Sequence, residues 1–258
     1  MKAQTVLKYK LGDIMKCLIL AAGYATRLYP LTENFPKPLL EVNGKTILDW
    51  LVDDIQGSGF VEEYIVISNH KFAKQFEKWA EGRDENITVL DDGTSTNETR
   101  LGAVRDIMFA IDKLKIDDDL LIIAGDNLLD FSLNGFVEYA KEKNASCIMR
   151  YFEPSLEKLR KTGVIELDEN GRVLAMEEKP ALPRSHWCAP PFYYYKREDT
   201  KLVKEGIEEG CGTDAPGHFI AWLCTKTPVF AYEMPGKRYD IGDIKSYEDV
   251  KNTYNGII

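Results

Sequence analysis

Between residues 17 and 124 the chain alternates short apolar runs with stretches whose apolar residues recur at helical spacing. This rhythm constrains the fold more than any other feature of the sequence. Cys17 to Leu20 is apolar throughout and is closed by Ala21-Ala22-Gly23. Ile47, Leu48, Leu51, Val52 and Ile55 then return every three or four positions, as one face of a helix does. Tyr64 to Ile67 reads as a strand, Phe72, Phe76 and Trp79 as a helical face, and Ile87 to Leu90 as the next strand. Leu101, Val104, Met108 and Ile111 mark another helix ahead of the apolar strand Leu120 to Ala124. A strand that is apolar at every position must be covered on both faces, which a parallel sheet flanked by helices provides. The pattern predicts an α/β fold with a Rossmann-like, mostly parallel sheet and helices on both faces.

Beyond about residue 150 the rhythm changes. Val164 to Leu167, the turn Glu169-Asn170-Gly171, and Arg172 to Met176 predict a hairpin. Pro180 to Pro191 holds four of the eleven prolines and reads as a loop. Two short helices, a strand at Val229 to Glu233 and a closing helix from Ser246 follow. With 258 residues and no repeat, linker or low-complexity tract, residues 15–258 read as one domain whose second half elaborates the same sheet. Residues 1–14 are polar and aperiodic, and Met15 opens the first strand, so the leader is assigned no function.

Charge and cysteine usage narrow the classes of partner. The balance of 33 basic and 42 acidic residues, net −9, argues against a nucleic-acid surface and against an anionic membrane face. It leaves room for a small anionic ligand held by a few local cations. No apolar stretch approaches the roughly 20 residues of a membrane helix. The five cysteines are scattered without a CxxC pair, which suits a reducing, cytoplasmic setting.

The chemistry concentrates in LAAGYATRLYPLTENFPKPLLEV, residues 20–42. A buried strand ends in a Gly-containing turn, and Arg27 and Lys37 follow within one short loop stiffened by Pro30, Pro36 and Pro38. In a parallel sheet such a turn lies at the carboxyl end of the strand, where ligands bind. Its backbone N–H groups can cradle an anion while the two cations add charge, a combination that suits a triphosphate. Gly44-Lys45-Thr46 resembles the end of a phosphate loop, but Leu39 stands where the first glycine belongs, and the motif fails.

These residues resemble the signature of the sugar-1-phosphate nucleotidylyltransferases, which make NDP-sugars. That signature is a hydrophobic strand, then Ala/Gly-Gly-x-Gly-Thr-Arg-Leu-x-Pro-x-Thr, then Lys-Pro-Leu-Leu. Ala25 stands here at the second motif glycine. The resemblance extends from Met15 to the C-terminus and implies a nucleotide-binding half over residues 15–150 and an acceptor-binding half over 151–258. It implies nucleotide contacts at Ala22 and Gly23, and a base slot at Asn97 and Gly102, where Asn replaces a common Gln. It implies Mg²⁺ on Asp126, which follows the apolar strand, and on Asp240 of Arg238-Tyr239-Asp240-Ile241-Gly242. It places Asn127, Gly163, Glu178 and Lys179 at the acceptor, with Lys179 neutralising the acceptor phosphate. Pro191 occupies a position where the family often has glycine, so the acceptor pocket is expected to differ from that of common glucose 1-phosphate enzymes.

The resemblance further implies direct in-line attack by an acceptor phosphate on the α-phosphorus of an NTP, with a pyrimidine favoured and pyrophosphate released. His70, His186 and His218 lie outside the motifs, and a phosphate nucleophile needs no general base. Three other readings stay open at this point. One is a cytidylyltransferase for phosphocholine or another non-sugar phosphate, and another is a catalytically inactive regulatory homologue. The third is an NDP-sugar-consuming glycosyltransferase, which would favour an Asp-x-Asp motif where this chain has Gly125-Asp126-Asn127.

Overall fold

The computed structural model describes residues 15–257. The leader expectation for residues 1–14 lies outside them. The chain enters through β1 (Met15–Leu20), two 3₁₀ turns (Thr26–Leu28 and Lys37–Leu39), and a small antiparallel pair, β2 (Glu41–Val42) and β3 (Lys45–Thr46). Gly44, at φ 80°, makes the turn between β2 and β3, a conformation that glycine adopts without a Cβ clash. Thr46 then caps α1 (Ile47–Ser58) in a capping box with Asp49, and the buried residues of α1 are the five picked out by their spacing. β4 (Val61–Ser68), α2 (Ala73–Glu81), β5 (Ile87–Asp91), α3 (Ala103–Leu114) and β6 (Leu120–Ala124) complete the alternating half.

β1 pairs in parallel with β4 on one side and β6 on the other, and β5 pairs in parallel with β4. Side chains leave β1 alternately. Cys17 and Ile19 join Leu48, Leu51 and Phe76 of α1 and α2 in one core. Leu18 joins Val104 and Ile107 of α3 in the other. The burial of Cys17, Leu18 and Ile19 in succession is thus the consequence of helices on both faces.

β7 (Asn127–Leu129), α4 (Asn134–Lys143), β8 (Ser146–Phe152), α5 (Leu156–Leu159), β9 (Gly163–Leu167) and β10 (Val173–Glu178) follow. Then come β11 (Trp187–Ala189), β12 (Phe192–Tyr195), α6 (Arg197–Thr200), α7 (Val203–Glu208), α8 (Gly217–Leu223), β13 (Val229–Glu233), β14 (Arg238–Asp240) and α9 (Ile244–Thr253). The main sheet runs β10-β9-β11-β8-β12-β6-β1-β4-β5, with β13 alongside β8. It is parallel from β6 to β5 and mixed beyond, because β12 lies antiparallel to both β6 and β8. The hairpin expected at residues 164–176 is β9–β10.

Three details differ from the expectations. The proline-rich stretch 180–191 contains β11, whose Cys188 and Ala189 are buried as it bridges β8 and β9. The fully buried positions of α3 are Val104, Asp106, Ile107 and Ala110, while Met108 and Ile111 pack at the rim. α3 touches both the sheet and α7, so its buried face is broader than the apolar stripe and encloses Asp106. β14 pairs with β7 in a separate two-stranded sheet that carries Asp240 to Asn127. Among the described residues no helix is long and apolar enough to cross a membrane.

Candidate active site

The loop after β1 is pinned from several directions. The buried Asn69, just past β4, donates from Nδ2 to the Ala22 carbonyl at 2.9 Å. Tyr24 Oη donates to the Thr94 carbonyl at 3.2 Å, and Thr32 Oγ1 to the Ala25 carbonyl at 2.8 Å. Ala25 itself sits in the left-handed region at φ 47°, a conformation glycine adopts without a Cβ penalty, which fits the glycine of the family motif at this position. Gly23 faces open space, so a ligand can approach its backbone closely. Arg27 is exposed on the first 3₁₀ turn, whereas Lys37 on the second is 6% exposed.

A Cβ on Gly125 would lie 3.0 Å from Ile19 Cγ2, a tight contact with β1, and 3.5 Å from Pro38 Cγ, an ordinary one, so the end of β6 packs directly against β1 and the Lys37 loop. Lys37 Nζ then pairs with Asp126 Oδ2 at 2.8 Å. Asn127 is buried, and both ends of its amide are engaged. Its Nδ2 donates to Asp126 Oδ1 at 2.7 Å and its Oδ1 accepts from Arg238 Nη1 at 2.6 Å. Register across β7–β14 sets Asp240 opposite Asn127. Two half-exposed carboxylates, Asp126 and Asp240, therefore flank one short ladder. Asp126 lines the main cavity, and hard carboxylate oxygens of this kind fit Mg²⁺, which takes one or two carboxylates and fills its other positions with phosphate oxygens and water. No third carboxylate, histidine or cysteine joins them in a metal-holding group among the described residues.

These residues open onto a cavity of about 400 Å³ at the carboxyl ends of β1 and β6. Gly23, Ala25, Arg27, Lys37 and Asp126 line it, together with Ala103, Pro191, Pro216 and Gly242. Ala22, Asn97, Gly102, Asn127, Gly163, Glu178, Lys179 and Asp240 lie outside its lining. Gly102 adjoins it through Ala103 and holds φ 90° as the N-cap of α3. Asn97 belongs to a 3₁₀ turn, and its carbonyl accepts from Arg100 Nη1 at 2.9 Å. Glu178 and Lys179 sit at the end of β10. Burial pushes the Glu178 carboxyl above the usual range, against the pull of the neighbouring Lys179 charge and the Gly217 amide. Lys179 turns into the left-handed region at φ 51°, its amide donating to the Thr162 carbonyl at 3.0 Å. That uncommon backbone, held by the strand before it, aims the residue away from the direction of β10.

Arg238 was not singled out from the sequence as a site residue, although it adjoins Asp240. Its guanidinium stands 5.8 Å from the Tyr151 ring centroid as well as on Asn127. The signal available was a cation two positions before Asp240, on a strand too short to be seen by periodicity.

A family model described as nucleotidyl transferase matches residues 16–256. A UTP–glucose-1-phosphate uridylyltransferase of Synechocystis sp. (strain ATCC 27184 / PCC 6803 / Kazusa) is 26% identical over 243 residues, covering 90% of this chain. The chain spans 61% of that relative's length. A crystal structure of UDP-glucose pyrophosphorylase complexed with UDP-glucose superposes with TM-score 0.78 at 20% identity, covering 93% of this chain and 98% of the other. The apo form of a UDP-glucose pyrophosphorylase gives TM-score 0.77 at 21% identity over 93% and 98%. At these identities the two structures establish a shared fold. The family match spans nearly all of the described chain and includes the Arg27–Lys37 loop, Asp126 and Asp240, and on that basis the chain belongs to the nucleotidyl transferase family.

Proposed function

We propose that this protein joins an NTP to a sugar 1-phosphate, forming an NDP-sugar and pyrophosphate with Mg²⁺ as cofactor. The observation that carries the reading is the convergence of Gly23, Arg27, Lys37 and Asp126 on one cavity, with the Lys37–Asp126 pair at 2.8 Å. An open glycine turn, two cations and a carboxylate suit a metal-bound triphosphate better than any neutral ligand. The relatives' names, which speak of UTP, UDP-glucose and glucose 1-phosphate, support a pyrimidine nucleotide and a sugar acceptor.

In this mechanism an oxygen of the acceptor phosphate attacks the α-phosphorus in line. The new P–O bond forms as the bond to the α–β bridging oxygen breaks, and pyrophosphate leaves with that electron pair. The nucleophile is already anionic at neutral pH, so no side chain has to remove a proton. Arg27 binds the β- and γ-phosphates, Lys37 the α-phosphate region, and Lys179 the acceptor phosphate. Together they hold two anions within reach and stabilise the charge that develops between them. Asn127 and Arg238 keep Asp126 turned toward the phosphates. Mg²⁺ held by Asp126 and Asp240 supplies further charge neutralisation. Asn97 and Gly102 read the base edge, with UTP or dTTP ahead of CTP.

The test is pyrophosphate release measured across five nucleotides and a panel of sugar 1-phosphates plus phosphocholine, with Asp126→Ala and Asp240→Ala as controls. Each control is expected to lose on the order of 10³-fold in turnover while its circular dichroism stays native. Release with CTP and phosphocholine alone would replace the sugar acceptor. Full turnover in EDTA, or no release with any pair, defeats the proposal.

A further inference from the structure

Glu178 is clasped between two glycines from different parts of the chain. A Cβ built on Gly163 would meet Met176 Cε at 2.6 Å and Glu178 Oε1 at 3.2 Å. A Cβ on Gly217 would meet Glu178 Oε1 at 2.0 Å and Met176 Cε at 2.2 Å. Gly163 belongs to β9, the strand paired with β10, so its closeness follows from the hairpin. Gly217 has no such reason to be near, since it opens α8 some 39 residues later in the chain.

Its position is imposed from the other side. The Ala103 amide donates to the Asp214 carbonyl at 3.2 Å, and the Val104 amide to the Thr213 carbonyl at 3.1 Å. Arg100 Nη2 pairs with Asp214 Oδ1 at 2.8 Å. A Cβ on Gly102 would fall 2.5 Å from the Thr213 carbonyl oxygen, so glycine at 102 is what lets the segment lie this close to the base slot. Residues 213–217 thus form one wall, anchored on the first turn of α3 and ending against Glu178. Pro216 of that wall and Ala103 both line the main cavity.

We propose that Gly217 is a positioning residue for the acceptor: its missing side chain and its anchored backbone set how far the Glu178 carboxylate reaches into the acceptor pocket. This rests on the sugar 1-phosphate reading, in which Glu178 accepts hydrogen bonds from acceptor hydroxyls. Gly217 lies outside the positive-φ glycines, so alanine there meets no backbone strain and is the better helix former. The two atoms its methyl would strike are the mobile ends of Glu178 and Met176. Gly217→Ala therefore keeps the fold and shifts the carboxylate.

The experiment measures steady-state kinetics with both substrates varied, together with the melting temperature. Gly217→Ala is expected to raise the acceptor KM by about tenfold or more, the consequence of misplacing one charge-assisted hydrogen-bond acceptor, with the NTP KM within about twofold of wild type. The double variant Gly217→Ala/Glu178→Asp retracts the carboxylate from the new methyl, and it is expected to match Glu178→Asp alone. An unchanged acceptor KM in a folded Gly217→Ala protein overturns the proposal, as does an equal rise in both KM values. If Gly217→Ala fails to fold, the comparison of the double variant with Glu178→Asp decides, and any further loss in the double overturns it. Wild-type protein that turns over no acceptor refutes the enzymatic reading instead.

Discussion

Lys37 and Asp126 illustrate how one residue pair can set a site. Lys37 is 6% exposed, and a buried ammonium is tolerated where a carboxylate and hydrogen bonds compensate its lost hydration. The three prolines around it remove alternatives for the loop, and Pro38 packs at ordinary contact distance from Gly125, next to Asp126. Asp106 is the opposite case, a buried carboxyl whose Oδ1 has no hydrogen-bond partner. Burial, then the nearby Asp92, push it up to about 7 from the ordinary 3.8. The folded state therefore favours the protonated form. Its stabilising effect is fully present below the unfolded value near 4 and is lost as pH rises through about 7. By pH 8 the ionised group costs on the order of a few kcal/mol. Asp106→Asn, which cannot ionise, is expected to melt several degrees above wild type at pH 8 and to coincide with it at pH 4. Melting curves at both pH values check this, and a variant that is less stable at pH 8 would contradict it.

At the scale of elements, the proposed mechanism assigns different strand ends to different substrates. Arg27 follows β1, while Lys179 follows β10 at the far side of the sheet order. Under the proposed mechanism, Arg27→Ala is expected to impair handling of the triphosphate, whereas Lys179→Ala mainly raises the acceptor KM and lowers kcat. Each removes a charge-assisted contact worth roughly 1.5–3 kcal/mol, or about 10- to 150-fold. Initial rates over a grid of both substrates separate the two, and identical defects toward NTP would refute the division. The β7–β14 ladder joins segments more than a hundred residues apart. It carries only three residues on each strand, yet its register sets Asp240 opposite Asn127 and lets Arg238 reach the same amide. Arg238 and Asp126 are consequently held by one buried side chain.

For the whole molecule, ligand binding and folding are linked, because anything bound only to the folded chain raises its stability. With Mg²⁺ present, UTP or dTTP at about a hundred times its Kd is expected to add roughly 2.7 kcal/mol, a shift of several degrees in Tm. Under the proposed base reading, ATP and GTP should shift it far less, since a purine edge leaves the polar groups of Asn97 and Gly102 poorly paired, at a cost of about 1–3 kcal/mol once the base covers them. Thermal shift assays with each nucleotide read this directly, and a larger shift with purines would overturn the pyrimidine assignment. The alternating half was legible in the sequence because burial on both faces makes β6 and the Cys17–Leu20 part of β1 apolar throughout, and because α1 shows its buried stripe without exception. The glycine turn with Arg27 and Lys37, and Asp126 after β6, were singled out because each follows such an element at its carboxyl end, although the pairing of Lys37 with Asp126 spans 89 residues. β11 was hidden by prolines and β14 by its length, because a three-residue strand has no period to read. What the sequence alone determined was the sheet, its helical cover and the strand ends where chemistry sits. What only tertiary structure decided was the meeting of distant segments: Asn127 between Asp126 and Arg238, Asp106 enclosed under α3, and Gly217 against Glu178. Those contacts depend on close packing between residues tens of positions apart, and local patterns of hydrophobicity carry no record of such distances.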